Sequence, residues 1–217
     1  MPVGLEAWLS DIPPITRTWL IAAIGTSLAV QCHLVTPLQL YFSFKSAFVN
    51  LQPWRAITTF LYFGPLSIDF VFHLFFFMRY SRMLEESSFA SRKADYFWLL
   101  CTSASLLLLL SPLFTLPFLS SPLAFTLVYI WSRRQPAMRI SLFGILTVSA
   151  PYLPIALVAI SWVINGTWRA AASDLMGCVV GHAWYFGTDV MIREVGGQMS
   201  WTKTPTFVQR WFNDPAR

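Results

Sequence analysis

Charge is scarce in this chain: 12% of its 217 residues are Asp, Glu, Lys or Arg, about half the share of an ordinary soluble domain. That scarcity excludes a normally solvated surface. Cysteine is nearly absent too. Cys32, Cys101 and Cys178 each lie in or beside an apolar run and no CxxC occurs, which excludes a disulfide framework. The N-terminus lacks a basic leader and a small-residue cleavage site, so no removed signal peptide is expected. Internal repeats, low-complexity segments and a second domain are missing as well. The net charge of +5 does not point to nucleic acid, because the basic residues flank apolar runs instead of clustering on a polar face. What the chain has is apolar surface: 56% hydrophobic residues and a mean hydropathy of +0.57, gathered in several runs. The class is an all-α, polytopic membrane protein.

Six membrane spans are predicted, over 19–34, 57–78, 96–111, 117–131, 152–164 and 173–191, in one membrane domain of residues 1–192 followed by a tail, 193–217. Residues 1–18 form an amphipathic lead-in with Trp8 and a break at Pro13–Pro14. The 36–54 stretch is too short and too mixed to cross. Its Tyr41, Phe42, Phe44, Phe48 and Trp54 among Lys45 and Gln52 suit a first loop lying in the membrane interface. The second span is interrupted at Gly64–Pro65. Pro151 and Pro154 divide 140–164 either into a surface-lying or re-entrant lead-in plus a short span, or into one kinked span. Trp201, Phe207, Trp211 and Phe212 suit a tail that docks on the membrane surface. Of the fifteen Lys and Arg residues, all but Lys45, Arg55 and Arg169 fall on one side of this topology, which makes both termini cytosolic. A bilayer core of about 30 Å needs about 20 helical residues. The first, third, fourth and fifth spans are shorter than that, as expected of a protein in a locally thinned membrane.

The sixth span, SDLMGCVVGHAWYFGTDVM, carries the densest information. Offsets of 3, 7 and 11 put Asp174, Gly177, Gly181 and Tyr185 on one helix face, with His182 one position round. Gly177 and Gly181 form a GxxxG that admits a second helix backbone at close range, so this is an interior helix. Asp69 and His73 stand at i, i+4 on the second span. Ionisable groups at membrane depth face a bundle interior or water, so Asp69, His73, Asp174 and His182 are candidates for a hydrated cavity or gate; alternatively, Asp69 snorkels to the interface. His33, His73 and His182 fall on three segments, so neither a metal site nor any cofactor is expected. Trp54–Arg55 reads either as an anchor, with the guanidinium on loop carbonyls or lipid phosphate, or as an ordinary interfacial pair. Asn165-Gly166-Thr167 is a glycosylation sequon hugging the membrane, expected to be unmodified.

Two enzymatic or transport readings fare poorly. An intramembrane serine protease of the rhomboid type needs Gly-x-Ser-Gly on the fourth span and a histidine base on the sixth. The fourth span, LPFLSSPLAFTLVYIW, has no glycine, and no serine can be placed beside His182. A small solute transporter or channel finds no support in an inverted repeat.

The motifs that remain fall in order along nearly the whole chain: IPPITRTWL, QPWRAITTFLYFGP, RYSRMLEE, KADYFWLL, LVYIWSRRQP, YLP, GCVVGH and TPTFVQRWF. In this series the protein resembles the derlins, non-catalytic relatives of rhomboid proteases in the endoplasmic reticulum membrane, and most of all their short-tailed fungal type. The resemblance implies a rhomboid-like bundle of six transmembrane helices. It makes Trp54–Arg55 and Gly177-x-x-x-Gly181 the two signature motifs. It also aligns Asp174 with the histidine of active rhomboids, implying no enzyme activity. It further implies a part in endoplasmic-reticulum-associated degradation, returning misfolded client proteins to the cytosol. The implied partners are a membrane ubiquitin ligase with its adaptors and, indirectly, a cytosolic AAA ATPase, since the tail to Arg217 shows no recruiting motif. The lipid bilayer is a partner by topology, and a homo-oligomer is allowed.

Overall fold

The computed structural model describes residues 4–114, 116–142 and 146–212; within them the side chains of residues 5–7, Phe48, Val49, Asp69, Leu142, Leu146 and Asn165 lie outside the described residues. The chain is mostly helical. It begins with a short α1 (Gly4–Ser10) and then α2 (Pro14–Gln31), whose exposed Ile21, Ile24 and Leu28 form one outer face. The first loop holds two four-residue helices, α3 (Pro37–Leu40) and α4 (Arg55–Thr58), and a wider π turn over Lys45–Val49.

Ahead of α5 (Ile68–Met83) the structure departs from the predicted second span. Residues 59–67 are not helical. Gly64 takes φ +108°, a region closed to other residues, Pro65 follows, and the Ser67 hydroxyl accepts from Phe70 N at 3.3 Å to start the helix. The element therefore begins about three turns later than hydropathy suggests. Its end also runs past the predicted span, into a π turn at Leu84–Ser88.

α6 (Lys93–Phe114) has 22 residues, a length of about 33 Å. It is not the undersized third span the sequence predicts. α2, with 18 residues, is close to full length as well. Only α7 (Ser120–Arg134), with 15 residues, and α8 (Leu153–Asn165), with 13, keep the short lengths expected of them. Among the described residues, α6 is the one helix long and apolar enough by itself to cross a membrane; Ala150–Ile164 is a shorter apolar helix.

Between α7 and α8 the structure corrects the all-α reading. Where a surface-lying or re-entrant lead-in, or the first half of a kinked span, is predicted over 140–150, there are two antiparallel strands, β1 (Arg139–Leu142) and β2 (Leu146–Ser149), Arg139 facing Ser149 and Leu142 facing Leu146. Ile140, Thr147 and Val148 suit a pleated surface. Pro151 and Pro154 then sit in the first turns of a 3-10 segment (Ala150–Tyr152) and of α8, where a missing N–H costs nothing. Gly166, at φ +60°, closes α8.

α9 (Trp168–Tyr185) runs on through a π turn (Phe186–Val190) into α10 (Met191–Val195). α7 and α9 pack on each other more extensively than any other pair of described elements. They run parallel: Ser121 meets Asp174, Thr126 meets Gly177, Tyr129 meets His182 and Arg134 meets Asp189 in register. α7 is the centre of the bundle, with Ser120 and every residue from Pro122 to Ser132 buried. The interior expectation for the sixth span holds for one face of α9 only; Leu175 and Val179 on the other are exposed. The tail folds back on its own bundle. Thr204 Oγ1 donates to Asp95 at 2.6 Å, and α11 (Thr206–Trp211) buries Val208 while leaving Phe207 and Trp211 exposed.

Candidate functional site

Three residues from three elements meet at the end of the bundle that carries the first loop. Ser121, in the first turn of α7, donates to Asp174 Oδ1 at 2.6 Å. His73 of α5 stands 3.3 Å from the same hydroxyl through Nδ1. A hydroxyl has one proton, and the shorter contact to a carboxylate claims it. The His73 contact is then made by an Nδ1–H donating to Ser121. The α7–α9 register fixes two of the three positions; the Ser67 cap, by setting where α5 begins, fixes the third.

These side chains line an open cavity of about 370 Å³ that also touches Tyr62, Gly64, Ser120, Ser161, Arg169 and Ser173. Ser120 Oγ donates to Tyr62 O at 2.7 Å and Leu119 N to Thr59 O at 3.0 Å, so the first loop is stitched to the start of α7. A narrow apolar crevice of about 40 Å³, bounded by Phe72, Phe76, Phe125, Leu157 and Ile164, shares His73 and Ser161 with the cavity. It runs where α5 and α8 flank α7.

Of the four polar candidates named from sequence, the structure brings together His73 and Asp174. Asp69 lies on α5 one turn before His73, its side chain outside the described residues. His182 lies at the opposite end of α9, on Tyr129 Oη at 2.7 Å. It belongs to different surroundings from His73 and Asp174. Ser121 was not legible in the sequence, because without glycine neighbours nothing marked it. Arg169, at the mouth, read only as a topology charge.

Arg55 is held by its own loop: Nε donates to Gln52 Oε1 at 2.6 Å, and Nη1 to Leu38 O at 2.6 Å and Tyr41 O at 2.9 Å. One guanidinium thus ties the 52–55 stretch to α3 and the residue that ends it, with the fixed fork geometry of arginine. Trp54 beside it is 53% exposed, alongside exposed Leu34, Leu38, Leu51 and Ile57. Gly177 and Gly181 serve packing inside the chain. A Cβ on Gly177 would overlap Pro122 O, and one on Gly181 would sit 2.9 Å from Tyr129 Cβ. Thr126 Oγ1 bridges the helices by donating to Gly177 O at 2.9 Å. The GxxxG face is therefore filled by α7.

A second buried polar centre has no counterpart in the sequence reading. Glu85, 3% exposed, accepts from Ile15 N at 3.1 Å, Thr16 N at 2.9 Å and Thr16 Oγ1 at 2.7 Å. It caps α2 from about 70 residues away, because the residue at the capping position, Pro13, has no acceptor side chain. Among the described residues no three His, Cys, Asp or Glu side chains gather as a metal site.

A helical bundle with a polar cavity at one end, α7 buried at its centre and a wide apolar exterior defines the class: a mostly helical protein with the apolar outer surface of a membrane-associated one. A profile of the Der1-like family matches residues 12–206. Derlin-2.2 of Zea mays is 36% identical over 226 aligned residues, which span 99% of this chain and 88% of that protein. A probable derlin-2 homolog of Dictyostelium discoideum is 37% identical over 196, covering 87% and 76%. A derlin-like protein of Schizosaccharomyces pombe is 35% identical over 185, covering 85% and 96%. The chain belongs to the Der1-like family, the derlins, and membership carries membrane association and a role related to endoplasmic-reticulum-associated degradation.

Proposed function

We propose that this derlin is a non-catalytic, six-span protein of the endoplasmic reticulum membrane, both termini cytosolic, that helps misfolded proteins return to the cytosol. Its spans are α2, α5, α6, α7, α8 and α9. A membrane ubiquitin ligase with its adaptors receives the client, and a cytosolic AAA ATPase acts through them. The observation that carries this reading is the His73–Ser121–Asp174 chain lining a cavity open at the first-loop end. An unsatisfied backbone group in lipid costs several kcal/mol. A cavity offering hydroxyl, imidazole, carboxylate and guanidinium groups replaces water along part of the path of a polar chain. The crevice between α5 and α8 opens it sideways, and the 13 and 15 residues of α8 and α7 shorten what lipid remains. Exposed Ile68, Val71 and Phe75 on α5, Leu109 and Leu113 on α6 and Ile155, Trp162 and Val163 on α8 form the apolar belt that lipid would cover.

The test is degradation of a lumenal client in cells carrying Asp69→Leu with His73→Leu. Client half-life is expected to lengthen several-fold while the level and melting temperature of the protein hold. Turnover at the wild-type rate would remove the cavity from the mechanism.

The serine–histidine–carboxylate grouping also invites a hydrolase reading. In a nucleophile the hydroxyl proton passes to an imidazole base; here it is held by Asp174, and the imidazole donates. A serine-directed fluorophosphonate probe is expected to leave Ser121 unlabelled. Labelling lost in Ser121→Ala would revive the protease.

A further inference from the structure

We propose that the cavity at the opposite end of the α7–α9 pair binds a phosphate ester, presented on the headgroup of an anionic lipid. This rests on the membrane reading above but not on client transport. The cavity is open, has a volume of about 530 Å³ and is lined by Tyr129, Arg133, Arg134, His182, Tyr185 and Arg193, with Pro136 and Pro151. No carboxylate is among its described lining residues. The nearby Asp189 is already held, by Arg134 Nη2 at 2.9 Å and Thr188 Oγ1 at 2.8 Å.

The hydrogen bonds orient donors into the space. Arg133 Nε donates to Tyr129 Oη at 3.1 Å, and its guanidinium lies over the Tyr129 ring at 5.2 Å. Tyr129 Oη is also hydrogen-bonded to His182 Nδ1 at 2.7 Å. Arg133, pinned through one nitrogen, keeps both terminal amines for a ligand, and the exposed Arg193 adds a second guanidinium. Planar forks of this kind match phosphate oxygens two at a time.

Orientation in the membrane accounts for positive charge at this end, but not for Arg133 held on Tyr129, with His182 on the same hydroxyl, in a cavity whose described lining holds no carboxylate. Position chooses the source of the phosphate. Pro151 lines the cavity, and directly after it Tyr152 and Ile155, 68% and 69% exposed, begin the apolar outer face of α8. The cavity thus sits at the level where headgroups meet acyl chains.

The full chain, purified in an uncharged detergent, is mixed with phosphatidylinositol 4-phosphate or phosphatidylcholine and followed by native mass spectrometry. The phosphoinositide is expected to be retained about tenfold more, and Arg133→Gln with Arg193→Gln to bring it down to the phosphatidylcholine level, since two charge-assisted contacts are lost. Both positions are exposed, so the melting temperature should not move. Arg210→Gln, basic but outside the cavity, should leave retention unchanged. Equal retention of the two lipids, or retention untouched by the double substitution, would overturn the proposal. Displacement by excess inorganic phosphate as effective as by the lipid would overturn the headgroup assignment in favour of free phosphate. Normal client turnover in the double variant leaves the binding result standing; extraction of the chain from membranes by alkaline carbonate would instead sink the membrane reading itself.

Discussion

Gly177→Ala should lower the melting temperature of the purified protein by more than about 6 °C, and Gly177→Leu should yield no folded protein. The added methyl of alanine would overlap the carbonyl oxygen of Pro122 and stand 2.9 Å from Phe125 Cβ. Both belong to α7, which is buried on nearly every side and cannot retreat. The obstacle is backbone, not the flexible end of a side chain, so the cost lies at or above the upper end of the usual overpacking range, about 3 kcal/mol. In a chain of this size that is about 6–12 °C. Spreading the helices would also stretch the Thr126–Gly177 hydrogen bond and disturb the Ser121–Asp174 contact one turn away. Gly25→Ala is the control. Nothing lies within 4 Å of a Cβ on Gly25 in α2, and helix propensity favours alanine by up to about 1 kcal/mol. A Gly177→Ala protein that melts with the wild type would show that the α7–α9 contact is looser than described.

Glu85→Ala should be the most damaging substitution of a polar side chain, with a loss of about 3 kcal/mol from removing a buried charged acceptor. The hydrogen bonds around it have a fixed direction. Thr16 gives its single proton to Glu85 Oε2 at 2.7 Å, so it accepts from Ser81 at 2.6 Å, which in turn accepts from Tyr96 Oη at 2.6 Å. The line runs Tyr96, Ser81, Thr16, Glu85 and ties α6, α5, α2 and the π turn after α5. A carboxylate is also the favourable charge at the start of α2. Glu85→Gln leaves one acceptor oxygen where Ile15 N and Thr16 N each use a separate one, so one of those amides faces the new NH2 group and the loss should be intermediate. Tyr96→Phe removes only the terminal donor and should cost least, about 1 kcal/mol. Thermal melts of the three variants give the order directly; equal melting of Glu85→Ala and Tyr96→Phe would mean the carboxylate is not the anchor of the line.

What the sequence showed of the site depended on periodicity within single helices. The stripe of Asp174, Gly177, Gly181 and Tyr185 is a local property, read from spacing, and α9 presents its two glycines and Asp174 inward as that spacing requires. Contacts between helices are not local. Ser121 joins His73 and Asp174 across separations of 48 and 53 residues, and nothing in its neighbours marks it. His182 looks adjacent to Asp174 in sequence but stands two turns along the helix, at the other end of the bundle. α7 went unrecognised as the central helix because a helix buried all round has no amphipathic stripe to betray it. Hydropathy extended the second span backward through 59–67, where Gly64 and Pro65 break the helix, and the third span was cut short at Lys93 and Asp95 on one side and at Pro112 on the other, all of which α6 contains.

Composition, hydrophobic runs and motif order by themselves determined that this is an apolar, many-helix chain of the derlin kind, because those properties follow from burial and lipid contact, which each segment records alone. Which helix is central, which glycine is critical and which polar residues share a cavity were decided only by the tertiary structure. Those depend on the parallel register of α7 against α9 and on a carboxylate that caps a helix about 70 residues before it. Such pairings arise from packing between distant segments, and no single segment carries them.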